Sequence, residues 1–221
     1  VAFSFPGPTK KEAGCEQFTH KTVNGEFDGI WTEGKLASYA IGVIGKESPR
    51  LGGGLGADGS AWAKIADALP DASNSESASS VAVDFNLAPG KEKIVRFALT
   101  WYAPTWNGQG ANWNEWHHTF THMYAKHYPD AVQTANLVAK DHKSLLKRVM
   151  AWQEAIYTDK KTPFWLQDSL INSFYLITET VHWAQKKDPM PAWVKPEDGL
   201  WGMDECPRGC AHIECITCSF Y

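Results

Sequence analysis

Ile94-Val-Arg-Phe-Ala-Leu-Thr-Trp-Tyr102 is the stretch on which the fold class turns. Its β-branched and aromatic residues predict the strongest strand in the chain, and Pro89-Gly90 marks a turn just before it. Working backwards, Val81-Ala-Val-Asp-Phe-Asn-Leu87 alternates apolar and polar residues as a half-buried strand does. Leu36-Ala-Ser-Tyr-Ala-Ile-Gly-Val-Ile44 reads as another strand. Between them, Asp71 to Ser80 reads as a polar loop without periodicity, and Ser60 to Leu69 is a short helical patch. Strands joined by turns predict an antiparallel sheet or β-sandwich over residues 1–105.

Working forwards, composition shifts at Ala103 to Trp116, a stretch that carries Pro104, Gly108 and Gly110. Residues 106–128 are therefore read as a linker and the entry to a second domain, which spans 129–221. From Asp130 the apolar period changes from two to 3.6. Ala131, Ala135, Val138, His142, Leu145, Val149, Trp152 and Ile156 trace one stripe along a long helix, with Pro129 and Asp130 as its start signal. A second helix is expected from about Pro163 to Trp183, burying Leu166, Leu170, Phe174, Ile177 and Val181. The charged, proline-containing Lys186 to Pro191 ends it. Two such helices and a short loop predict an αα-hairpin.

Composition narrows the class of function. The 221 residues are 43% hydrophobic and 21% charged, which excludes collagen-like and wholly disordered chains. A net charge of -4 leaves no basic surplus to neutralise phosphates, so no nucleic-acid partner is expected. No apolar run reaches the ~18 residues of a membrane span. No signal peptide or Asn-x-Ser/Thr sequon is visible, and the five cysteines are read as reduced thiols of a cytoplasmic protein. The absence of an initiator Met before Val1, and the apolar run in which Tyr221 falls, lead us to expect a segment of a longer protein.

Several motifs carry candidate chemistry. Gly54-Leu-Gly-Ala-Asp-Gly59 fits G-x-G-x-x-G, but the nearest expected strand ends at Ile44 and no βαβ alternation surrounds it. Nucleotide binding is therefore rejected. Cys206, Cys210, Cys215 and Cys218 with His212 offer soft ligands, yet the two pairs lie only four residues apart, too close to wrap a zinc ion as a ribbon does. Buried thiols are the simpler account, and no metal or cofactor is assigned. His117, His118, His122 and His127 lack the Glu of an H-E-x-x-H motif, and His142 reads as a packed, hydrogen-bonded residue of the long helix.

Gly199 to Glu214 is the richest segment. It gathers Asp204, Glu205 and Glu214 with Arg208, His212 and Trp201 around a Gly/Pro turn. Carboxylates supply the nucleophile and proton donor of glycoside hydrolysis, and an indole face packs on a sugar ring. A solvated acidic turn beside buried Trp accounts for the same residues.

This arrangement resembles glycoside hydrolase family 116, the non-lysosomal glucosylceramidase and β-glucosidase group, or a close sister family. Val95-Arg-Phe-Ala-Leu-Thr-Trp-Tyr-Ala-Pro104 is similar to that family's last β-sandwich strand, and Ala131 to Trp152 to its first long barrel helix. Pro163-Phe-Trp-Leu-Gln-Asp-Ser-Leu-Ile-Asn-Ser-Phe-Tyr175 follows its Pro-x-Trp, Leu, Asn, Tyr pattern. Trp201-Gly-Met-Asp-Glu205 resembles the nucleophile segment, which nominates Glu205 as catalytic. Ala211-His-Ile-Glu214 falls where the family has a sugar-contacting acid, and Gly209-Cys-Ala-His212 is similar to a sister-group sequence. Departures from the family pattern are Asp204 before the nucleophile and the Cys-Pro-Arg-Gly-Cys insert.

The resemblance implies the end of an antiparallel β-sandwich followed by the first helices of an (α/α)6 barrel. It implies a retaining β-glycosidase acting on a small glycoside or glycolipid, with Glu205 attacking the anomeric carbon. Glu214, His212 and Trp201 would bind substrate. The proton donor would be an Asp in the remainder of the parent chain. Two other readings remain: a carbohydrate-binding module stacking sugars on Trp101, Trp106, Trp113 and Trp116, and a small metalloprotein built on the Cys/His tail.

Overall fold

The computed structural model describes residues 1–107, 119–174, 181–188, 190–206 and 210–213, and at 107, 203–206 and 210–213 it describes the backbone alone. The chain divides into two compact units. One comprises residues 1–103 and 128–142; the other comprises 104–127 and 143–221.

The first unit is built from antiparallel strands: β1 (Ala2–Phe5), β2 (Thr19–Val23), β3 (Phe27–Glu33), β4 (Ser38–Ile44), β5 (Arg50–Gly53), β6 (Ser79–Ala82) and β7 (Arg96–Tyr102). A short helix α1 (Lys10–Ala13) lies between β1 and β2, held by a Thr9/Glu12 capping box. Two sheets result, ordered β2-β3-β4-β7 and β1-β6-β5. The apolar residues of β4 explain its central place. Six of its seven residues are buried, as expected of a strand covered on both faces.

On one face Ile30, Tyr39, Ile41 and Val43 pack with Val81 and Val83, flanked by Phe3, Phe5, Leu51, Val95 and Phe97. This is a sandwich-like core between the two sheets. On the other face Phe27, Ala40 and Ala98 meet Ala131, Ala135 and Ala139, from the first turns of helix α2 (Ala131–Tyr157). Alanine against alanine lets the helix backbone come close to the sheet. Asp130 caps the helix by accepting a hydrogen bond from the Gln133 N–H at 2.7 Å, as its start signal predicts. Gly29 and Gly42 are register partners beneath the Phe27 ring, and a Cβ on either would strike that ring and the facing backbone.

Several sequence expectations need correction here. The stretch from Asp71 to Ser80 is not simply a solvated loop. Ser77, Ser79 and Ser80 are buried, and Ser79 and Ser80 open β6, which ends at Ala82 and not at Leu87. Their polarity is tolerated because every hydroxyl is bonded. Ser80 Oγ donates to the Gly53 carbonyl at 2.6 Å, and Ser77 Oγ lies 2.6 Å from the Pro8 carbonyl. Tyr39 Oη donates to the Ser77 carbonyl and sits 2.9 Å from Ser79 Oγ. Ser79 Oγ in turn lies 2.9 Å from Thr32 Oγ1, which is 3.0 Å from His20 Nδ1. His20 Nε2 faces the carbonyls of Ser73 and Glu76, which can only accept, so this nitrogen carries a hydrogen.

Gly54 directly follows β5, not the end of β4, yet the next helical turn is a single 3₁₀ turn at Trp62–Lys64. Gly56 and Gly59 adopt left-handed conformations, and Asp58 accepts hydrogen bonds from the Ser60 N–H and hydroxyl. An antiparallel strand followed by such a loop lacks the helix N-terminus a pyrophosphate requires.

The second unit contains β8 (Thr105–Asn107), β9 (Thr119–Thr121), the C-terminal part of α2, helix α3 (Phe164–Asn172), β10 (Val181–Ala184), β11 (Leu200–Cys206) and β12 (Cys210–Ile213). The αα-hairpin between α2 and α3 is present. Tyr157 Oη donates to Asp168 at 3.1 Å, Gln167 Nε2 donates to the Asp159 carbonyl at 2.7 Å, and the Trp152 and Phe174 rings meet edge-on at 4.9 Å.

The second helix is much shorter than its apolar spacing predicts. It ends at Asn172, and Val181 and Trp183 lie in a strand. The run Ile177-Thr-Glu-Thr-Val-His-Trp is rich in β-branched and aromatic residues, which favour a strand over a helix. Its buried positions are Gln167 and Ile171, whereas Leu170 and Phe174 are exposed; Ile177 lies outside the described residues. The long stripe on α2 also splits: Ala131 and Ala135 are buried, Val138 is half-buried and its neighbour Ala139 is buried instead, while Leu145 and Val149 are exposed. No described helix is long and apolar enough to cross a membrane.

Candidate active site

The strands of the second unit form a run of antiparallel pairings. β8 pairs with β9 through Trp106↔Phe120, and β9 joins β10 through the bridge His122↔Ala184 and the Gln185 N–H to the Thr121 carbonyl at 2.8 Å. β10 pairs with β11, matching His182 with Gly202 and Trp183 with Trp201, and β11 pairs with β12. Gly199, in a left-handed conformation, immediately precedes β11; a Cβ there would strike the Ala184 carbonyl and Met123.

These pairings bring together residues far apart in sequence. The Trp106 indole stacks on His122 at 4.2 Å, on His182 at 5.2 Å and on Phe120 at 5.3 Å, and His122 stacks on Tyr124 at 5.1 Å. Partial burial lowers the His122 pKa from its ordinary value, and the neighbouring His182 lowers it further. A neutral imidazole is thus favoured inside the aromatic stack. The sequence signals at Trp106 and His122 were isolated residues in a Trp- and His-rich stretch, and His182 carried no signal at all.

Trp183 and Trp201 face each other across β10 and β11, and they remain 44% and 52% exposed. The Trp183 Nε1–H donates to the Asp198 carbonyl at 2.7 Å, which fixes the edge of that indole. Trp201 is thus an exposed ring on the strand that carries Glu205, four residues further on. An exposed indole face is suited to the apolar face of a sugar.

Glu205 occupies a break in the β11–β12 register. Asp204 is partnered by Ile213 and Cys206 by Cys210, so Glu205 alone opposes the two residues Ala211 and His212. Two residues against one is a β-bulge, a device that bends a strand and is over-represented next to active sites. The backbone therefore places Glu205 and His212 on neighbouring strands at the same level. Glu214 lies outside the described residues, as do Cys215 and Cys218, and no group of three or more metal-ligating side chains occurs among the described residues.

Of the Trp platform of the alternative reading, the described residues include Trp101 and Trp106. Trp101 belongs to the first unit, where its ring stacks on Tyr39 at 6.4 Å and meets Phe5 edge-on at 6.0 Å. Trp106 belongs to the second unit and is occupied by the imidazole stack. Trp113 and Trp116 lie outside the described residues, with His117 and His118. His142 is half-buried, and its Nδ1 donates to the Ala139 carbonyl at 2.8 Å, as its position on the helix predicts.

An antiparallel, sandwich-like assembly closed on one face by a helix defines the class of the first unit: a β-sandwich-like domain. Residues 52–145 match the family model described as beta-glucosidase 2, glycosyl-hydrolase family 116 N-term, which supports membership of glycoside hydrolase family 116. The match runs from β5 into α2 and ends before the Trp201–Glu214 segment. It supports a glycoside hydrolase in general. No curated protein matches the chain.

Proposed function

We propose that the chain is part of a retaining β-glycosidase that hydrolyses β-glucosides, glucosylceramide-like lipids among its substrate class. The observation that carries this reading is the family match over residues 52–145. Glu205 is the nucleophile: its carboxylate attacks the anomeric carbon and forms a covalent glycosyl intermediate that water then hydrolyses. The bulge that sets Glu205 opposite Ala211 and His212 supports this assignment. Trp201 offers a sugar-stacking surface, and His212 and Glu214 are assigned to substrate hydroxyls. Residues 129–221, which include the α2–α3 pair, are assigned to the incomplete start of an (α/α)6 barrel. The proton donor is assigned to an Asp of the remaining parent chain, which together with these residues forms the protein acting in the cytoplasm.

A nucleophile mutant of the full parent protein tests the reading on an aryl β-glucoside. Glu205→Ala should abolish turnover, and added azide should restore release of the phenol while giving a glucosyl azide of inverted anomeric configuration. A parent inert toward all aryl glycosides would overturn the proposal. Undiminished hydrolysis by Glu205→Ala would overturn the residue assignment.

A further inference from the structure

The β11–β12 hairpin makes Cys206 and Cys210 register partners, separated in sequence only by Pro207-Arg208-Gly209. Directly opposed residues of an antiparallel pair have Cα atoms about 4.5 or 5.5 Å apart. Both spacings fall within the ~4.4–6.8 Å that a disulfide accepts. Opposed residues also share one face of the sheet. Cys15 belongs to the first unit, and Cys215 and Cys218 lie outside the described residues. We infer that Cys206 and Cys210 form a reversible dithiol–disulfide pair, an oxidation site one residue from Glu205. This goes beyond the glycosidase reading and does not depend on it.

The oxidant is a low-molecular-weight disulfide such as glutathione disulfide. The thiolate of one cysteine attacks a sulfur of glutathione disulfide, whose S–S bond breaks as one glutathione thiolate leaves. The second cysteine thiolate then attacks the mixed disulfide, releasing the second glutathione and forming the Cys206–Cys210 bond. The two thiol protons pass, through solvent, to the two glutathione thiolates. Two electrons move from the protein to glutathione. Once formed, the bond holds the end of the hairpin in the register that positions the bulge at Glu205.

Thiol counting and peptide mapping of the chain, in EDTA and excess glutathione disulfide, test the pair. Two of the five thiols should disappear, a Cys206–Cys210 cross-link should be found, and dithiothreitol should reverse both. The double variant Cys215→Ser/Cys218→Ser should behave the same way. Cys206→Ser and Cys210→Ser should each instead retain glutathione on the remaining partner. Overturning results are a hairpin in which both thiols stay free, one in which both stay glutathionylated, or a cross-link that runs to Cys215 or Cys218. Because the readout is covalent, a chain that forms the bond while its parent hydrolyses no glycoside refutes the glycosidase reading alone.

Discussion

The two units treat bulky side chains in opposite ways. Of the eleven largest fully buried side chains among the described residues, ten lie in the first unit and only Met123 lies in the second. In the second, Phe164, Trp165 and Trp193 are 71%, 68% and 72% exposed. The difference locates the stability of the described structure in the sheets of the first unit, since burial of apolar surface is the dominant favourable term. It also separates two uses of aromatic residues, packing in one unit and presentation in the other. The severest test is Phe27→Ala. That ring is fully buried over Gly29 and Gly42, where no neighbouring side chain can grow into the gap. The loss should be about 3–5 kcal/mol in urea unfolding. A loss below ~1 kcal/mol would remove the basis of the comparison.

Tyr39→Phe probes the polar part of the same core. Burial raises the Tyr39 pKa, while its hydrogen bond with Ser79 works the other way. Removing the hydroxyl leaves the buried Ser77 carbonyl short of its donor and interrupts the line from Ser79 through Thr32 to His20. The expected cost is about 1–3 kcal/mol, read from the same unfolding curves. A neutral result would mean that Ser79 alone satisfies the loop.

What the sequence made legible, and what it hid, follows from the range of the forces involved. β4, β7 and the start of α2 were readable because local alternation, β-branching and an Asp cap act within a few residues. The buried serines were not, because their acceptors are carbonyls far along the chain: Ser80 reaches Gly53 and Ser77 reaches Pro8. The spacing of Leu166, Leu170 and Phe174 carries the expected helix past its end at Asn172, because a helical spacing also suits an exposed face. At the candidate site, resemblance picked out Trp201 and Glu205. It did not reveal the β-bulge or the pairing of Trp201 with Trp183, which arise from register and leave no trace in composition. His182 was invisible for the same reason, since its place beside Trp106 depends on strands about 75 residues apart joining through β9.

The imidazole stack offers a smaller effect that distinguishes the second unit by its response to pH. Burial keeps the folded-state pKa of His122 below its ordinary value near 6.5. Above that pH both folded and unfolded states are neutral there, and His122 contributes no pH dependence. As the pH falls below it, the unfolded chain takes up the proton first, so folding stability declines with falling pH until the folded-state value is passed. His122→Phe retains a ring against Trp106 and removes the proton. Its stability between about pH 7 and pH 5 should fall less than that of the wild type, measured by chemical unfolding at each pH. Identical profiles would show that His122 is solvated like an ordinary surface histidine.

The smallest effect is the most pointed. Leu146 lies on α2 beyond the segment that packs on the sheet and is 62% exposed. Leu146→Ala removes little buried surface, and alanine is the best helix former, so propensity offsets part of what contact remains. The change should alter stability by no more than ~0.5 kcal/mol, in either direction. Ala135, on the same helix, is fully buried, and Ala135→Leu should cost about 1–3 kcal/mol by forcing a larger side chain against Phe27 and Ala98. One helix would then show both behaviours within three turns, and the contrast would follow position and not residue type. If Leu146→Ala cost as much as Ala135→Leu, that stretch of α2 would have to be covered in solution, and the exposed aromatics of the second unit would belong to a contact surface.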